Sequence, residues 1–193
     1  MKNIWESGEM DLYNGKISIP GSNKSMNTVN ILFAGDLCPI NKTMSFILEG
    51  KSREIIAPLG SRFYDRDVAI VNLEAPLAVE GEPIKKTGPN LKLDPACIDF
   101  LKTAKFDIVY LANNHMGDFG PDFVIRTIDI LEKNGIMHVG AGKNTEDSHK
   151  PLLFSKKGIK IGLLSYAEYE FGMAEENKAG ASPLDPVSAI KDI

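Results

Sequence analysis

An α/β fold with a largely parallel sheet is the fold class that the sequence predicts, and three features of the chain indicate it. Short apolar segments of strand length recur along the sequence, and segments with apolar residues at helical spacing lie between them. The first three apolar segments each end on polar residues, as buried strands often do. Alternating strands and helices favour parallel strands joined by helical crossovers.

Four apolar segments are the predicted strands of this sheet. The first three cover residues 29–34, 68–71 and 106–111, and the fourth covers residues 136–139. The polar residues that follow the first three are Gly35-Asp36, Asn72-Leu73-Glu74 and Ala112-Asn113-Asn114-His115.

Two helices are predicted between these strands. Asp94 and Pro95 form a favourable cap and first turn for the earlier helix. The later helix begins near Gly120 and ends at Asn134-Gly135, a favourable C-terminal cap. The apolar faces are Cys97, Phe100, Leu101 and Ala104 in the first helix, and Val124, Ile128 and Leu131 in the second.

The remaining segments complete the predicted organisation. Residues 1–28 are a polar lead-in with a short strand at 16–19, and residues 29–193 form the domain. Segments 151–155 and 159–165 flank Lys156-Lys157-Gly158 and predict a hairpin. A short helix is predicted to begin near Asp185.

Composition excludes several classes of protein. The 193 residues carry a net charge of −4, which argues against a nucleic-acid-binding role because phosphate contacts need clustered cations. No apolar segment approaches the roughly 20 residues that span a bilayer, and the N-terminus lacks the apolar core of a signal peptide. Two cysteines form no disulfide framework, and reduced thiols favour a cytoplasmic setting.

Polar residues at three strand ends predict a site at one edge of the sheet. Ligands of open α/β sheets bind where the carboxyl ends of strands meet. Asp36, Glu74, Asn114 and His115 would provide oxygen donors and one imidazole there. Such donors suit Mg²⁺ or Mn²⁺, and Zn²⁺ or Fe when imidazole joins. This combination permits a two-metal hydrolase site.

Each of these residues also has a purely structural interpretation. Asp36 is compatible with a cap of the following helix, and Glu74 with an exposed loop carboxylate. Asn113-Asn114 is compatible with a turn, and His115 with an ordinary loop histidine. Asp118, just before Gly120-Pro121, is interpreted as a helix cap. The coincidence of polar residues at three strand ends favours a functional site.

The order of these motifs resembles the CapA family of bacterial capsule and poly-γ-glutamate synthesis proteins, which is itself similar to calcineurin-like metallophosphoesterases. The match extends over residues 29–166. Its motifs are Gly35-Asp36, Asn72-Leu73-Glu74-Ala75-Pro76-Leu77, Leu111-Ala112-Asn113-Asn114-His115 with Asp118 and Gly120, and Gly140-Ala141-Gly142-Lys143-Asn144.

The resemblance implies a four-layer αββα sandwich with a metal site between strand ends. Asp36 would take the place of the first metal-binding aspartate, and Glu74 that of a metal-bridging carboxylate. Asn114 would hold the second metal through its amide oxygen. His115 would be the general acid or a donor to a phosphate oxygen. The implied cofactor is a divalent ion such as Mn, Mg, Zn or Fe.

Two departures from the family pattern affect this interpretation. Cys38 stands where the phosphoesterases carry a histidine, and it is interpreted as a small buried hydrophobe in preference to a thiolate ligand. The histidines that complete the site in the family are also missing, since His138 and His149 lack the required neighbours. The chain is therefore expected to be the N-terminal half of the sandwich, with the metal site under-occupied and the uncovered apolar surface driving self-association.

Two hypotheses of function follow. The first is a capsule or poly-γ-glutamate synthesis protein with a metallophosphoesterase-like site, acting on a phosphoester or an anionic polymer. The alternative is a non-catalytic component that binds polymer or partner proteins. The resemblance implies association with the cell envelope.

Two local motifs are not interpreted as binding sites. The pairs Lys85-Lys86 and Lys156-Lys157 are interpreted as solvated charges, and Gly140-Ala141-Gly142 as a tight turn.

Overall fold

The computed structural model describes residues 9–11, 16–18 and 28–193. Two short strands, β1 (Glu9–Asp11) and β2 (Lys16–Ser18), pair antiparallel ahead of the main fold. The predicted strand at 16–19 is therefore present over Lys16–Ser18, and Ile19 lies outside the described residues. The division of the chain at residue 28 stays a prediction.

A parallel sheet of four strands forms the centre of the fold, which confirms the predicted α/β class. Its strands follow chain order and are β3 (Ile31–Leu37), β4 (Val68–Leu73), β5 (Ile108–Tyr110) and β6 (Met137–Val139). Both faces of the inner strands are buried, which explains why β4 and β5 appear as continuous apolar segments in the sequence.

Four helices cover one face of this sheet. They are α1 (Lys42–Leu48), α2 (Ser52–Ile56), α3 (Cys97–Ala104) and α4 (Pro121–Lys133). The sheet side chains that meet them include Val71, Leu73 and Val109. The apolar face predicted for α3 is buried in full, while in α4 Val124 and Leu131 are buried and Ile128 is half-buried.

The start of α3 and the end of β3 differ in detail from the sequence prediction. Asp94 caps a turn by accepting a hydrogen bond from the Ala96 amide at 2.8 Å, and the helix itself begins at Cys97. Strand β3 continues through Gly35 and Asp36 after an irregularity in its pairing with β4. Because Asn41 holds the N-cap position of α1, Asp36 does not cap that helix.

The opposite face of the sheet is covered in part by a hairpin of β8 (Leu152–Lys156) and β9 (Ile159–Leu163), as predicted. Between β6 and this hairpin lie β7 (Ala141–Gly142) and α5 (Thr145–Ser148). Leu163, Phe154 and Ile161 pack against Ile70 and Ile108 of the sheet. The outward side of the hairpin is open to solvent, with Leu153 73% exposed. The described residues thus form a helical layer, the sheet and a two-stranded layer, and leave the outside of the hairpin uncovered.

The chain after the hairpin returns to β7 and ends in a helix. Strand β10 (Gly180–Ala181) pairs antiparallel with β7, and α6 (Pro186–Asp192) follows, with Asp185 capping it through the amides of Val187 and Ser188. Asn144 caps α5 by accepting a hydrogen bond from the Asp147 amide at 2.9 Å. The segment 140–144 thus serves as a turn, a strand and a helix cap.

A carboxylate on α6 fastens this helix to the body of the protein. Asp192 Oδ2 lies 2.8 Å from His149 Nδ1 and accepts a hydrogen bond of 2.8 Å from the Tyr166 hydroxyl. Burial and the bond to Asp192 raise the pKa of Tyr166 to about 12. Burial alone would raise the pKa of Asp192, but these two hydrogen bonds lower that pKa below its ordinary value. None of the side chains of α6 is buried, so these polar contacts anchor it.

We expect Asp192→Asn to lower the free energy of unfolding by about 1 kcal/mol at neutral pH, because it removes the charge from both hydrogen bonds. The lowered pKa makes the ionised carboxylate stabilising above about pH 5, and this contribution is lost as the pH falls below about 4. Chemical denaturation of the wild type and the variant at several pH values would measure this. Tyr166→Phe should show a smaller loss, and a difference between wild type and Asp192→Asn that stays constant down to pH 3 would contradict the expectation.

Candidate functional site

The polar C-terminal ends of β3, β4 and β5 lie together at one edge of the sheet, the edge at which the parallel strands end and at which the site is predicted. In the pairing register Asp36 lies beside Asn72, and Asn72 lies beside Tyr110, the last residue of β5. The loops that continue from β4 and β5 therefore begin at the same level of the sheet. This arrangement follows directly from parallel pairing, since all three strands run towards the same edge.

A series of side-chain hydrogen bonds runs along this edge from Asp36 to the loop after β5. Asn72 Nδ2 donates to Asp36 Oδ1 at 2.7 Å, and Asn113 Nδ2 donates to Asn72 Oδ1 at 3.1 Å and to the Leu73 carbonyl at 2.9 Å. Asn113 Oδ1 accepts from the backbone amides of His115 and Met116 at 3.0 and 2.9 Å. Asn113 is buried, so it holds the Asn114-His115 turn against the end of β4.

Glu74 reaches the same edge through its backbone. Its amide donates to the Leu37 carbonyl at 3.2 Å, which places its backbone beside the end of β3. Burial raises the pKa of the Cys38 thiol, and the charges of Glu74 and Asp36 raise it further. The thiol is therefore protonated at neutral pH. Because Cys38 packs against the apolar core, the structure agrees with its interpretation as a small hydrophobe.

The loop after β5 and the segment 84–91 together form a cluster of three charged or titratable side chains, Lys86, His115 and Asp118. His115 Nδ1 lies 2.7 Å from Asp118 Oδ2 and 3.2 Å from Lys86 Nζ. Lys86 Nζ also donates to Asp118 Oδ1 and, at 3.4 Å, to the Asn114 carbonyl. The side chain of Asp118 is 0% exposed, that of Lys86 is 3% and that of His115 is 12%.

Two interpretations from the sequence are wrong at this cluster. Asp118 does not cap α4, because Gly120 holds the N-cap position and no side chain of the described residues caps that helix end. Lys86 is not a solvated charge, because its ammonium group is buried against Asp118. Lys85, its neighbour, is exposed as expected.

Asp118 also organises the segment 84–91, which lies against the loop after β5. Its carbonyl accepts hydrogen bonds from the Ile84 amide at 2.8 Å and from Asn90 Nδ2 at 3.1 Å. Its carboxylate accepts a third from the Leu91 amide at 2.7 Å. The segment that carries Lys86 is therefore fixed to the same residue that fixes His115.

The structure places the predicted site residues at the carboxyl ends of three neighbouring strands. Asp36 and Glu74 lie at the ends of neighbouring strands, and Asn72 and Asn113 link Asp36 to the Asn114-His115 turn. Asn72 and Lys86 are not among the site residues that the sequence predicts. Asn72 could have been found, because it is a polar residue inside an otherwise apolar strand. Lys86 gave no comparable signal, because its partners lie 28 to 32 residues away along the chain.

The oxygen donors at this edge are of the kind that a hard divalent cation prefers, but they are too few to complete its coordination shell. Asp36 and Glu74 offer carboxylate oxygens, and the exposed Asn114 offers an amide oxygen. In the part of the chain that the structure describes, no three side chains of His, Cys, Asp or Glu form a group that could hold a metal ion. If a metal binds here, these three residues would supply only part of its coordination shell.

Comparison with known proteins gives consistent matches. A family model described as bacterial capsule synthesis protein PGA_cap matches residues 30–190. The chain is 26% identical over 127 residues to the capsule biosynthesis protein CapA of Bacillus anthracis, which covers 63% of this chain and 31% of that protein. It is 28% identical over 100 residues to the PGA biosynthesis protein CapA of Bacillus subtilis (strain 168), covering 50% of this chain and 26% of that protein.

A third relative is a probable polyglutamine synthesis accessory protein of Mycobacterium tuberculosis (strain CDC 1551 / Oshkosh). It is 33% identical over 76 residues, covering 39% of this chain and 20% of that protein. The chain thus spans less than a third of the length of these curated relatives.

Proposed function

The chain belongs to the bacterial capsule synthesis protein family PGA_cap, and we propose that it supports the synthesis of a capsular or poly-γ-glutamate polymer at the cell envelope. Membership of the family confirms the resemblance to CapA proteins that the motifs at the strand ends predict. The names of the relatives, which refer to capsule, PGA and polyglutamine synthesis, support this role. No helix in the described ranges is long and apolar enough to cross a membrane.

We further propose that the edge formed by β3, β4 and β5 is one side of a divalent-metal site of the phosphoesterase type. The observation that carries this proposal is the linked placement of Asp36, Asn72, Asn113 and His115 at the carboxyl ends of three parallel strands. Asp36, Glu74 and Asn114 would hold the ion through oxygen atoms. A bound divalent ion would supply charge that stabilises a developing oxyanion.

The residues around this position have defined tasks in the proposal. Asn72 orients the Asp36 carboxylate through the 2.7 Å hydrogen bond, and Asn113 holds the Asn114-His115 turn. His115 is the proposed catalytic residue, placed to exchange a proton or a hydrogen bond with a phosphoester. Further ligands would come from outside the described residues.

The metal site is tested by measuring Mn²⁺ binding to the full chain together with turnover of nitrophenyl phosphate. We expect Glu74→Gln to weaken Mn²⁺ binding at least tenfold and to reduce turnover by a similar or larger factor, since it removes one of two carboxylate ligands. Glu80→Gln is the matched control, because Glu80 is exposed and lies 3.7 Å from Arg126. Mn²⁺ affinity that Glu74→Gln leaves unchanged would refute the proposed site.

A second candidate is a non-catalytic component that binds the polymer. It is favoured by the incomplete donor set, since no three metal-binding side chains of the described residues converge. This candidate predicts that the chain binds poly-γ-glutamate equally well with and without a chelator and shows no phosphoester turnover.

Several apolar side chains are exposed, and they are the surface on which the predicted self-association would depend. The self-association stays a prediction. Phe33 of β3 is 56% exposed, and Val187 and Ile190 of α6 are exposed as well. Uncovered apolar side chains of this kind favour association with another surface.

A further inference from the structure

Lys86 is a buried cation that the proposed function does not use. Its side chain is 3% exposed, so it cannot contact a substrate or polymer directly. Burying an ammonium group is costly unless charge and hydrogen bonds compensate. Its placement therefore needs an explanation, and its three contacts provide one.

The contacts of Lys86 fix the orientation of the Asp118 carboxylate. Nζ binds Oδ1 of Asp118, which leaves Oδ2 facing His115 Nδ1 and the Leu91 amide at 2.7 Å each. The Asn114 carbonyl, 3.4 Å from Nζ, holds the ammonium in place. The carboxylate is thus held at both oxygens and cannot rotate without breaking a buried contact.

This orientation determines which nitrogen of a neutral His115 ring carries the proton. Asp118 Oδ2 can only accept a hydrogen bond when it is ionised, so a 2.7 Å contact requires Nδ1 to donate. The alternative, in which Nδ1 accepts from Lys86, has a longer distance of 3.2 Å and would place two acceptors against each other at 2.7 Å. The Nδ1–H tautomer is therefore the one that satisfies the cluster.

We propose that Lys86 is a positioning residue that, through Asp118, keeps the proton of the neutral His115 ring on Nδ1 and leaves a lone pair on Nε2. Within the described residues Nε2 of His115 makes no hydrogen bond, and this nitrogen is open to solvent. Nε2 is therefore available to accept a proton, accept a hydrogen bond or bind a cation. It donates only after it takes up a second proton. The inference rests on the proposed function only for its consequence on turnover.

The tautomer can be measured on the full chain without metal or substrate. Long-range ¹H–¹⁵N NMR of the histidine rings, at a pH where His115 is neutral, distinguishes the protonated nitrogen from the unprotonated one. His115→Gln assigns the signal among the three histidines. We expect the wild type to show a protonated Nδ1 and an unprotonated Nε2, and a protonated Nε2 would overturn the proposal.

Variants then test the part played by Lys86. Lys86→Met should give a mixture of tautomers and a 10- to 100-fold loss of any phosphoester turnover, as is typical when the partner of a functional histidine is disturbed. Lys86→Arg should restore the single tautomer because it keeps the charge. Lys85→Met, which changes the exposed neighbour, should leave both measurements unchanged.

The two proposals can fail separately. If the ring nitrogen signals of His115 are the same in Lys86→Met and in the wild type, the proposed role of Lys86 is refuted, whatever the phosphoester turnover. A shifted tautomer in a chain that neither binds Mn²⁺ nor hydrolyses phosphoesters would support the role of Lys86 and refute the proposed metal site.

Discussion

Asp118→Asn is expected to lower the free energy of unfolding by about 3–5 kcal/mol, because it leaves the buried ammonium of Lys86 without an opposite charge. The carboxylate is fully buried and also receives the Leu91 amide and His115 Nδ1. An amide at this position can accept through one atom only, so at least one of these contacts is lost. Urea denaturation followed by circular dichroism would measure the change.

Matched variants separate the buried ion pair from a general effect of losing a carboxylate. Asp129→Asn changes an exposed aspartate of α4 and should alter stability by less than about 0.5 kcal/mol. The double variant Lys86→Met with Asp118→Asn removes both charges, so its loss should be well below the sum of the two single losses. Additive losses in the double variant would contradict the pairing of these two residues.

Gly117→Ala is expected to destabilise the protein by about 3 kcal/mol or more, because the new methyl group would collide with backbone atoms. A Cβ at Gly117 would lie 2.8 Å from the Gly172 carbonyl oxygen and closer still to its Cα. The close approach is between the backbone at Gly117 and the backbone at Gly172, and backbone cannot move aside as the end of a flexible side chain can. The loop that carries Asn114 and His115 would therefore separate from the segment around Gly172.

Gly35→Ala is the control for this change. Among the residues that the structure describes, a Cβ at Gly35 would meet nothing within 4 Å, and the backbone at Gly35 does not require a glycine conformation. It should be neutral or stabilise the strand slightly, since alanine loses less conformational entropy than glycine on folding. Thermal unfolding of both variants would measure the difference, and similar midpoints would show that the close approach of Gly117 and Gly172 is not needed.

Much of the fold is predictable because its signals are local. The apolar face of α3, the end of α4 before Gly135 and the hairpin around Lys157-Gly158 depend on spacing and turn residues within a few positions. The extension of β3 through Asp36 was missed because Gly35 normally interrupts a strand. Here Asp36 pairs beside Asn72, and a neighbouring strand decides the outcome.

The candidate site is predictable only where it depends on strand order. Parallel pairing brings Asp36, Glu74 and the Asn114-His115 turn to one edge, and the polar strand ends indicate this in the sequence. The cluster of Lys86 and Asp118 depends on how a long irregular segment folds back over 32 residues, and no local pattern encodes that path. A lysine in such a segment is usually exposed, which is why the sequence suggested a solvated charge.

The two thiols bear on the chemical environment in which the chain can work. Burial, together with nearby Cys38 and Asp94, raises the pKa of Cys97 to about 12, and burial and two carboxylates raise that of Cys38. The thiolate is the form that reacts with oxidants and disulfides, and the raised pKa of each cysteine makes it the minor form at neutral pH. Two protonated thiols are therefore chemically compatible with a reducing and with an oxidising compartment.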